Sequence, residues 1–144
     1  MFKKMLKNEK GLTLIELLAV IVILGIIAAI AIPSIGGIIQ KSREDAVKAD
    51  ALQILNAAKV YVSSNGLEDT SLTHTDLEDY VTGLESDFTN YTVTVGTDSN
   101  EYKLTTTDTV TAGNREMKFN NATLANIKAK HTVPETGNIV IPAQ

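Results

Sequence analysis

Residues 12–33 read LTLIELLAVIVILGIIAAIAIP, and this stretch decides how the rest of the chain is organised. From Leu17 to Ile32 it contains no charged residue. At roughly 1.5 Å per residue, residues 12–32 make a helix about 30 Å long, which matches the hydrocarbon core of a bilayer. The stretch is therefore predicted to be an apolar transmembrane helix.

The residues on either side of this helix differ in charge. Residues 1–11 contain four lysines and one glutamate, a charge of +3, and the whole chain has a net charge of −4, so the residues after 11 carry −7. The positive-inside rule keeps a basic N-terminus in the cytoplasm and sends the acidic remainder across the membrane. An acidic head repels a polyphosphate backbone, so DNA is not expected as a general partner.

A secretory signal peptide also combines a basic start with an apolar stretch. The apolar run here is longer than the usual signal-peptide core and contains Glu16 near its start. It lacks a clear small-x-small cleavage site, apart from the weak AAIA at residues 28–31. We therefore expect the segment to be retained.

Beyond Pro33 the helical pattern continues as an amphipathic half, residues 33–65. Its apolar positions recur at three- and four-residue steps, and its other face is polar. Asn65-Gly66 is typical of a helix C-terminal cap, and Pro33 is expected to kink the helix without dividing it. The apolar positions are Val47, Ala51, Ile54 or Leu55, Ala58, and Tyr61 or Val62.

Residues 66–144 predict a small head of short elements. Thr75 and Glu78 fit a capping box, which predicts a short helix from Asp76 to about Leu84. Two-residue alternation then predicts strands, the first two joined by a hairpin loop at 96–100, while residues 105–111 are expected to form an exposed edge or loop. The strand candidates are Tyr91 to Val95, Tyr102 with Leu104, Met117 with Phe119, and Ile139 with Ile141.

These patterns together predict the α+β class, with a long N-terminal helix packed against a small antiparallel sheet. The head contains no cysteine, which excludes disulfides and thiolate chemistry. His74 and His131 lack ligand partners at useful spacing, and Ser71, His74 and Asp76 crowd one loop without a nucleophile elbow. Residues 98–101, DSNE, are interpreted as a hairpin turn rather than a calcium loop. We therefore expect no enzyme activity, no cofactor and no metal.

The octapeptide GLTLIELL at residues 11–18, followed by Gly25 and Ile32-Pro33, closely resembles the N-terminal segment of type IV pilins and pseudopilins. The resemblance extends over residues 7–49. It implies a pilin fold, cleavage of the leader 1–11 by a prepilin peptidase between Gly11 and Leu12, and N-methylation of Leu12. The family usually has Phe where this chain has Leu12.

The proposed roles of Gly11 and Glu16 can also be argued from the chemistry of their side chains. A glycine presents no side chain beside the scissile bond, although it is also compatible with a simple turn before the helix. A carboxylate within an apolar span is costly and needs a partner, and cleavage creates an ammonium on Leu12 that a neighbouring subunit can offer to Glu16. The alternative is a glutamate that reaches to the membrane interface.

Gly25 and Pro33 bracket the part of the helix where helical structure is least favoured. Local melting between them is implied by the resemblance, and a simple kink in a membrane helix is the alternative. Both interpretations leave the span helical in the membrane.

The predicted function is that of a major-pilin-like structural subunit of a type IV pilus, serving adhesion, motility or DNA uptake. Its expected partners are copies of itself, the prepilin peptidase, the assembly platform with its ATPase, and the cytoplasmic membrane before assembly. It is expected to reside there as a single-pass protein with its N-terminus inside, and then in a surface fibre. The alternatives are a pseudopilin of a type II secretion or competence system and a minor pilin with a binding head.

Overall fold

Helix α1 is the largest element of the fold, because neither Gly25 nor Pro33 interrupts it between Phe2 and Asn65. The computed structural model describes residues 2–66, 70–96, 101–129 and 137–142, with side chains described from residue 13 onwards. The elements are α1 Phe2–Asn65, β1 Ser71–Thr73, α2 His74–Leu77, β2 Tyr91–Val95, β3 Tyr102–Thr106, β4 Val110–Ala112, β5 Arg115–Asn120, α3 Leu124–Lys128 and β6 Ile139–Pro142. The predicted α+β class is confirmed.

The chain divides into two units, Met1–Ile39 and Gln40–Gln144. The first unit contains the N-terminal part of α1. The second unit, which we call the head, contains the rest of α1 and all the strands. Helix α1 ends where the Asn65-Gly66 pair predicts, since Gly66 has a φ of +80° and its N–H donates to the Val62 carbonyl at 2.9 Å.

The core of the head forms between one face of α1 and the inner faces of the strands. The predicted apolar stripe of α1 is confirmed, since Ala51, Ile54, Leu55 and Ala58 are fully buried. The strands alternate buried and exposed residues, so each contributes every second side chain to the core. The strand residues of this core are Leu72, Tyr91, Val93, Val95, Tyr102, Leu104, Val110, Ala112, Met117, Phe119, Ile139 and Ile141.

The strands form two three-stranded sheets rather than one. The first has the order β1-β2-β3 and is antiparallel, and the second has the order β4-β5-β6. In the second sheet β4 is antiparallel to β5, but β6 is parallel to β5. A parallel pair needs a long crossover, which here contains α3. A bridge between Leu104 and Ala122 links the sheets through reciprocal backbone hydrogen bonds of 2.9 and 2.8 Å.

The predicted helix from Asp76 to Leu84 is wrong in position and length. Helix α2 covers only His74–Leu77, and its cap is Thr73 with Asp76 instead of Thr75 with Glu78. The Asp76 carboxylate accepts hydrogen bonds from the Thr73 N–H at 2.8 Å and from the Thr73 hydroxyl at 2.6 Å. Burial explains the choice, because Leu72 before the cap and Leu77 in the helix are both buried and form a hydrophobic staple.

Residues 105–111 are also more ordered than predicted. Thr105 and Thr106 belong to β3, and Val110 and Thr111 belong to β4. Thr106 is 2% exposed, and its hydroxyl accepts a hydrogen bond from the Phe119 N–H at 3.1 Å. The threonines make this segment look solvent-exposed in the sequence. A threonine can nevertheless occupy a core position when its buried hydroxyl has a hydrogen-bond partner.

Carboxylate and amide side chains of α1 hold the loop between α2 and β2. Asp50 is 7% exposed, and its Oδ2 accepts hydrogen bonds from the N–H groups of Glu85 at 3.1 Å and Ser86 at 2.8 Å. Gln53 donates to the Thr82 carbonyl at 2.6 Å. These bonds replace the helical hydrogen bonds that the predicted longer α2 would have supplied.

The turn between β4 and β5 is held in a similar way. Gln40 donates to the Ala112 carbonyl at 2.7 Å and to Glu44 at 3.0 Å, and Glu44 pairs with Arg115 at 3.2 Å. Gly113 has a φ of +70°, and an added Cβ would come within 2.8 Å of the Arg43 Cδ. Both the backbone conformation and the close approach of α1 therefore require glycine at this turn.

We expect Asp50→Ala to lower the free energy of unfolding of the head by about 1–3 kcal/mol, since it removes the shared acceptor of two loop N–H groups. Urea unfolding of the detergent-solubilised chain, followed by the near-ultraviolet circular dichroism of its four tyrosines, measures the change. Asp45→Ala is the matched control, because Asp45 is an exposed carboxylate on the same helix. Equal stability of the two variants would contradict the assigned role of Asp50.

The capping bonds from the side chain and then the backbone of Thr73 lower the pKa of Asp76 below its ordinary value of 3.8. A lowered folded-state pKa adds stability above the ordinary value, and this contribution is lost as the pH falls through the folded value. We therefore expect Asp76→Ala to cost about 0.5–1 kcal/mol at pH 7 and progressively less as the pH falls below 3.8. Urea unfolding across this range checks the effect. Asp79→Ala, which alters a carboxylate outside the cap, should show no such trend.

Candidate functional site

The N-terminal unit presents apolar side chains to its surroundings on every side. Every residue from 13 to 30 is exposed, and so is every residue from 32 to 39. The large apolar side chains among them are 49–71% exposed. They are Leu14, Ile15, Leu17, Leu18, Val20, Ile21, Val22, Ile23, Leu24, Ile26, Ile27, Ile30, Ile32, Ile35, Ile38 and Ile39.

Such a surface is not a helix face that packs on a soluble core. A helix that is hydrophobic all round belongs inside a membrane or a large apolar assembly. Burying a Val, Leu or Ile side chain is worth about 1.5–3 kcal/mol, so covering these side chains is worth on the order of 30 kcal/mol for each chain. Exposure of this segment to water is therefore strongly unfavourable.

Helix α1 is also long and apolar enough to cross a membrane, as judged by its length and composition. Within the described part of the chain it is the one helix with this property. Its apolar part starts directly after the basic residues 1–11. The segment is therefore both a candidate membrane anchor and a candidate assembly surface.

Glu16 is the one acidic residue between Leu12 and Arg43, and it is exposed among apolar neighbours. Gly11, Leu12 and Glu16 all lie in α1, where Glu16 follows Leu12 by one helical turn, about 6 Å along the axis. The side chain of Leu12 lies outside the described side chains. The structure thus places the predicted processing and assembly residues in one continuous helical segment.

Gly25 and Pro33 also lie within α1, where the helix continues through both. A Cβ added at Gly25 would have no neighbour within 4 Å, so packing inside the chain does not require glycine there.

The head offers little in the way of a chemical site. His74 packs edge-on against the Tyr91 ring with centroids 5.3 Å apart, and Asp76 bonds to Thr73. Glu101 pairs with Lys103 at 3.0 Å, whereas residues 98–100 and His131 lie outside the described residues. Across the described ranges, no group of three or more His, Cys, Asp or Glu side chains is arranged to hold a metal.

Among the clefts of the head surface, two are lined by residues that the structure describes. The larger, about 420 Å³, lies at the β4–β5 turn, and the smaller, about 310 Å³, lies beside Tyr102. In the larger cleft Arg115 is engaged by Glu44, and Glu116 accepts a hydrogen bond from Asn138 at 3.2 Å. In the smaller cleft the Lys59 ammonium lies over the Tyr102 ring, 5.6 Å from its centroid. Arg115 and Glu116 in the larger cleft and Lys59 in the smaller one are therefore already engaged within the head.

Sequence reasoning missed the residues that fix the head surface. Helix α3 begins at a Thr123–Asn126 cap, in which the two side chains hydrogen-bond to each other and Asn126 accepts from the Thr123 N–H at 2.9 Å. Asn at the third helical position is a weaker signal than the usual Glu or Gln. The Gln40–Glu44–Arg115 network gives no sequence signal, because its members lie 71 residues or more apart except along α1.

Residues 6–32 match the sequence family described as the prokaryotic N-terminal methylation motif. Comparison of the chain with curated proteins and with solved structures gives no significant match to either. The motif implies processing by a prepilin peptidase and pilus assembly, and with the apolar helix it indicates membrane anchoring before assembly. Proteins of this type are structural rather than enzymatic. A methylation motif at residues 6–32 within a long apolar helix fits the precursor of a type IV pilin or pseudopilin.

Proposed function

We propose that the chain is the precursor of a type IV pilus subunit that assembles into a helical surface fibre used for adhesion, motility or DNA uptake. The observation that carries the proposal is the methylation motif at residues 6–32 together with the exposed apolar side chains of residues 14–39. A fibre core made of such helices covers each of them with its neighbours. Lateral packing of Ile, Val, Leu and Ala side chains then takes the place of lipid.

Processing after Gly11 is the first proposed step. The leader contains Lys3, Lys4, Lys7 and Lys10, and four ammonium groups cannot enter an apolar core without partners. Cleavage between Gly11 and Leu12 removes them and leaves one new ammonium on Leu12. N-methylation of this amine keeps its positive charge.

Glu16 is the proposed partner of that ammonium. A carboxylate at the centre of a bilayer costs about 2.5–3.5 kcal/mol, and somewhat less near the edge. In a dry fibre core this cost is offset when the Leu12 ammonium of a neighbouring subunit lies beside Glu16. The pair then sets the register of one subunit against the next.

Gly25 and Pro33 supply a proposed site of local melting. Glycine costs about 1 kcal/mol and proline about 3 kcal/mol relative to alanine inside a helix. The residues between them are apolar, so side-chain packing in a fibre core survives some loss of backbone hydrogen bonding. A segment of this kind lets a fibre lengthen under tension.

Before assembly the subunit is proposed to cross the cytoplasmic membrane once, with its N-terminus inside and its head outside. The basic leader and the acidic remainder support this orientation. Assembly then requires an extraction machine, the platform and its ATPase, because the apolar segment does not leave lipid for water spontaneously. The −7 charge after residue 11 disfavours DNA as a ligand of the head.

Mass spectrometry of sheared extracellular fibres tests the proposal directly. We expect a dominant chain that begins at Leu12 and carries one N-terminal methyl group. Recovery of only full-length chain from the membrane fraction would contradict processing and assembly. Two other observations together would instead indicate a pseudopilin. The processed chain would be absent from long fibres, and deletion of its gene would stop the export of folded proteins without affecting motility.

We expect Glu16→Val to leave membrane insertion and leader cleavage intact but to lower fibre yield by about tenfold or more, the scale set by an unpaired charge in an apolar span. Immunoblots of membrane and sheared fractions measure both quantities. Leu17→Val is the matched control, because it changes an adjacent exposed apolar residue without altering charge. Abundant normal fibres from Glu16→Val would sink the pairing.

A further inference from the structure

The charges of the head are separated along the chain. Residues 60–102 contain nine aspartates and glutamates and no lysine or arginine. Residues 103–130 contain five lysines and arginines against two acidic residues. The net charge after residue 11 therefore hides a strongly acidic part and a basic part of the same head.

The acidic part occupies a defined place in the fold. We call the five exposed carboxylates between β1 and β2 the acidic flank; they are Asp76, Glu78, Asp79, Glu85 and Asp87. None of the five forms an ion pair with another described residue, since the ion pairs of the described part join Glu44 to Arg115 and Glu101 to Lys103. Asp50 and Gln53 tie the loop that carries them to α1, so the flank is fixed in position.

The basic part lies on other elements. We call Lys118 of β5 and Lys128 of α3 the basic flank; neither has an ion-pair partner among the described residues. Lys118 points away from the core, because Met117 and Phe119 on either side of it are fully buried. Its register partner is Val140, which is 52% exposed. The solvent face of the second sheet therefore combines the Lys118 ammonium with the exposed Val140 side chain and with the exposed carboxylate of Glu116, which lies two residues before Lys118 on the same face of β5.

The two flanks lie on different elements of the head. The acidic flank belongs to the connection between β1 and β2, and β1 is an edge strand of the first sheet. The basic flank belongs to β5 and to the connection between β5 and β6 in the second sheet.

Contacts that build a helical fibre are heterologous, so one surface of a subunit meets a different surface of the next. Five carboxylates brought near those of another copy repel, whereas the two lysines of a facing basic flank attract them and offset part of their charge. We propose that the acidic flank of one head contacts the basic flank of a second copy in the fibre. This inference rests on the proposed fibre function and names the head surfaces that meet.

Charge reversal in the full-length chain tests the contact. We expect Lys118→Glu with Lys128→Glu to lower the yield of sheared fibres by about threefold or more, and Glu78→Lys with Asp79→Lys to do the same, the scale expected for two surface ion pairs. All four substitutions together should restore at least half of the wild-type yield. Lys41→Glu with Lys48→Glu is the matched control, because it reverses two lysines of α1 outside both flanks and should leave the yield unchanged.

A second measurement does not depend on expression or folding of the variants. Wild-type fibres should dissociate at a lower temperature in 1 M than in about 0.05 M sodium chloride, because salt screens contacts between exposed charges. Apolar contacts alone predict no weakening by salt. Unchanged or greater heat stability at high salt, or single-flank variants with wild-type yield, would overturn the contact.

The outcome separates this inference from the function on which it rests. If the wild-type chain forms fibres and both charge-reversed variants form them in equal yield, the pilus-subunit function stands and the flank contact is wrong. A wild-type chain that never enters sheared fibres would remove both.

Discussion

The apolar surface of α1 between residues 13 and 39 is the constraint on which everything else depends. It presents about sixteen large aliphatic side chains that no other described part of the chain covers. Because the cost of leaving them in water is on the order of 30 kcal/mol, several times the stability of an ordinary domain, the chain requires lipid or other chains at all times. The basic leader and the methylation motif make sense only together with that requirement.

The contacts that fold the head do not involve the apolar segment at residues 13–39. The described residues of its buried core all fall between Val47 and Ile141. Its loops are hydrogen-bonded to α1 through Gln40, Asp50 and Gln53. Every one of these contacts lies within the second unit. These interactions therefore do not involve the molecules that cover the apolar segment. A cysteine-free head without disulfides depends on this packing.

The parts of the fold that follow from periodicity were predictable from the sequence. The stripe at Ala51, Ile54 and Ala58 and the alternation at Tyr91, Val93 and Val95 identify buried faces, because each pattern matches the repeat of its own element. The cap of α2 was misplaced because Thr73–Asp76 and Thr75–Glu78 have the same spacing, and only burial of Leu72 and Leu77 decides between them.

Long-range pairing lay beyond the sequence for a different reason. The parallel partnership of Met117 with Ile139 depends on where the intervening segment crosses, and the Gln40 bond to Ala112 joins residues 72 positions apart. Local patterns contain no information on such contacts. The candidate site was the opposite case, since Gly11, Leu12 and Glu16 lie within one short motif whose meaning is local.

The energetics of assembly then turn on few residues. Lipid tails are about as apolar as leucine, so exchanging lipid for neighbouring helices changes the hydrophobic term little. What differs between membrane and fibre is the environment of Glu16, the one carboxylate in the segment, and the contacts that the charged heads make outside it. In the proposed function, Glu16 stabilises a subunit in the fibre core only when the ammonium of a cleaved chain lies beside it. A subunit that is not cleaved has no such ammonium and does not form this stabilising pair. In this proposal the same residue couples processing to assembly, and the proposed flank contact adds interactions between heads that form only in the fibre.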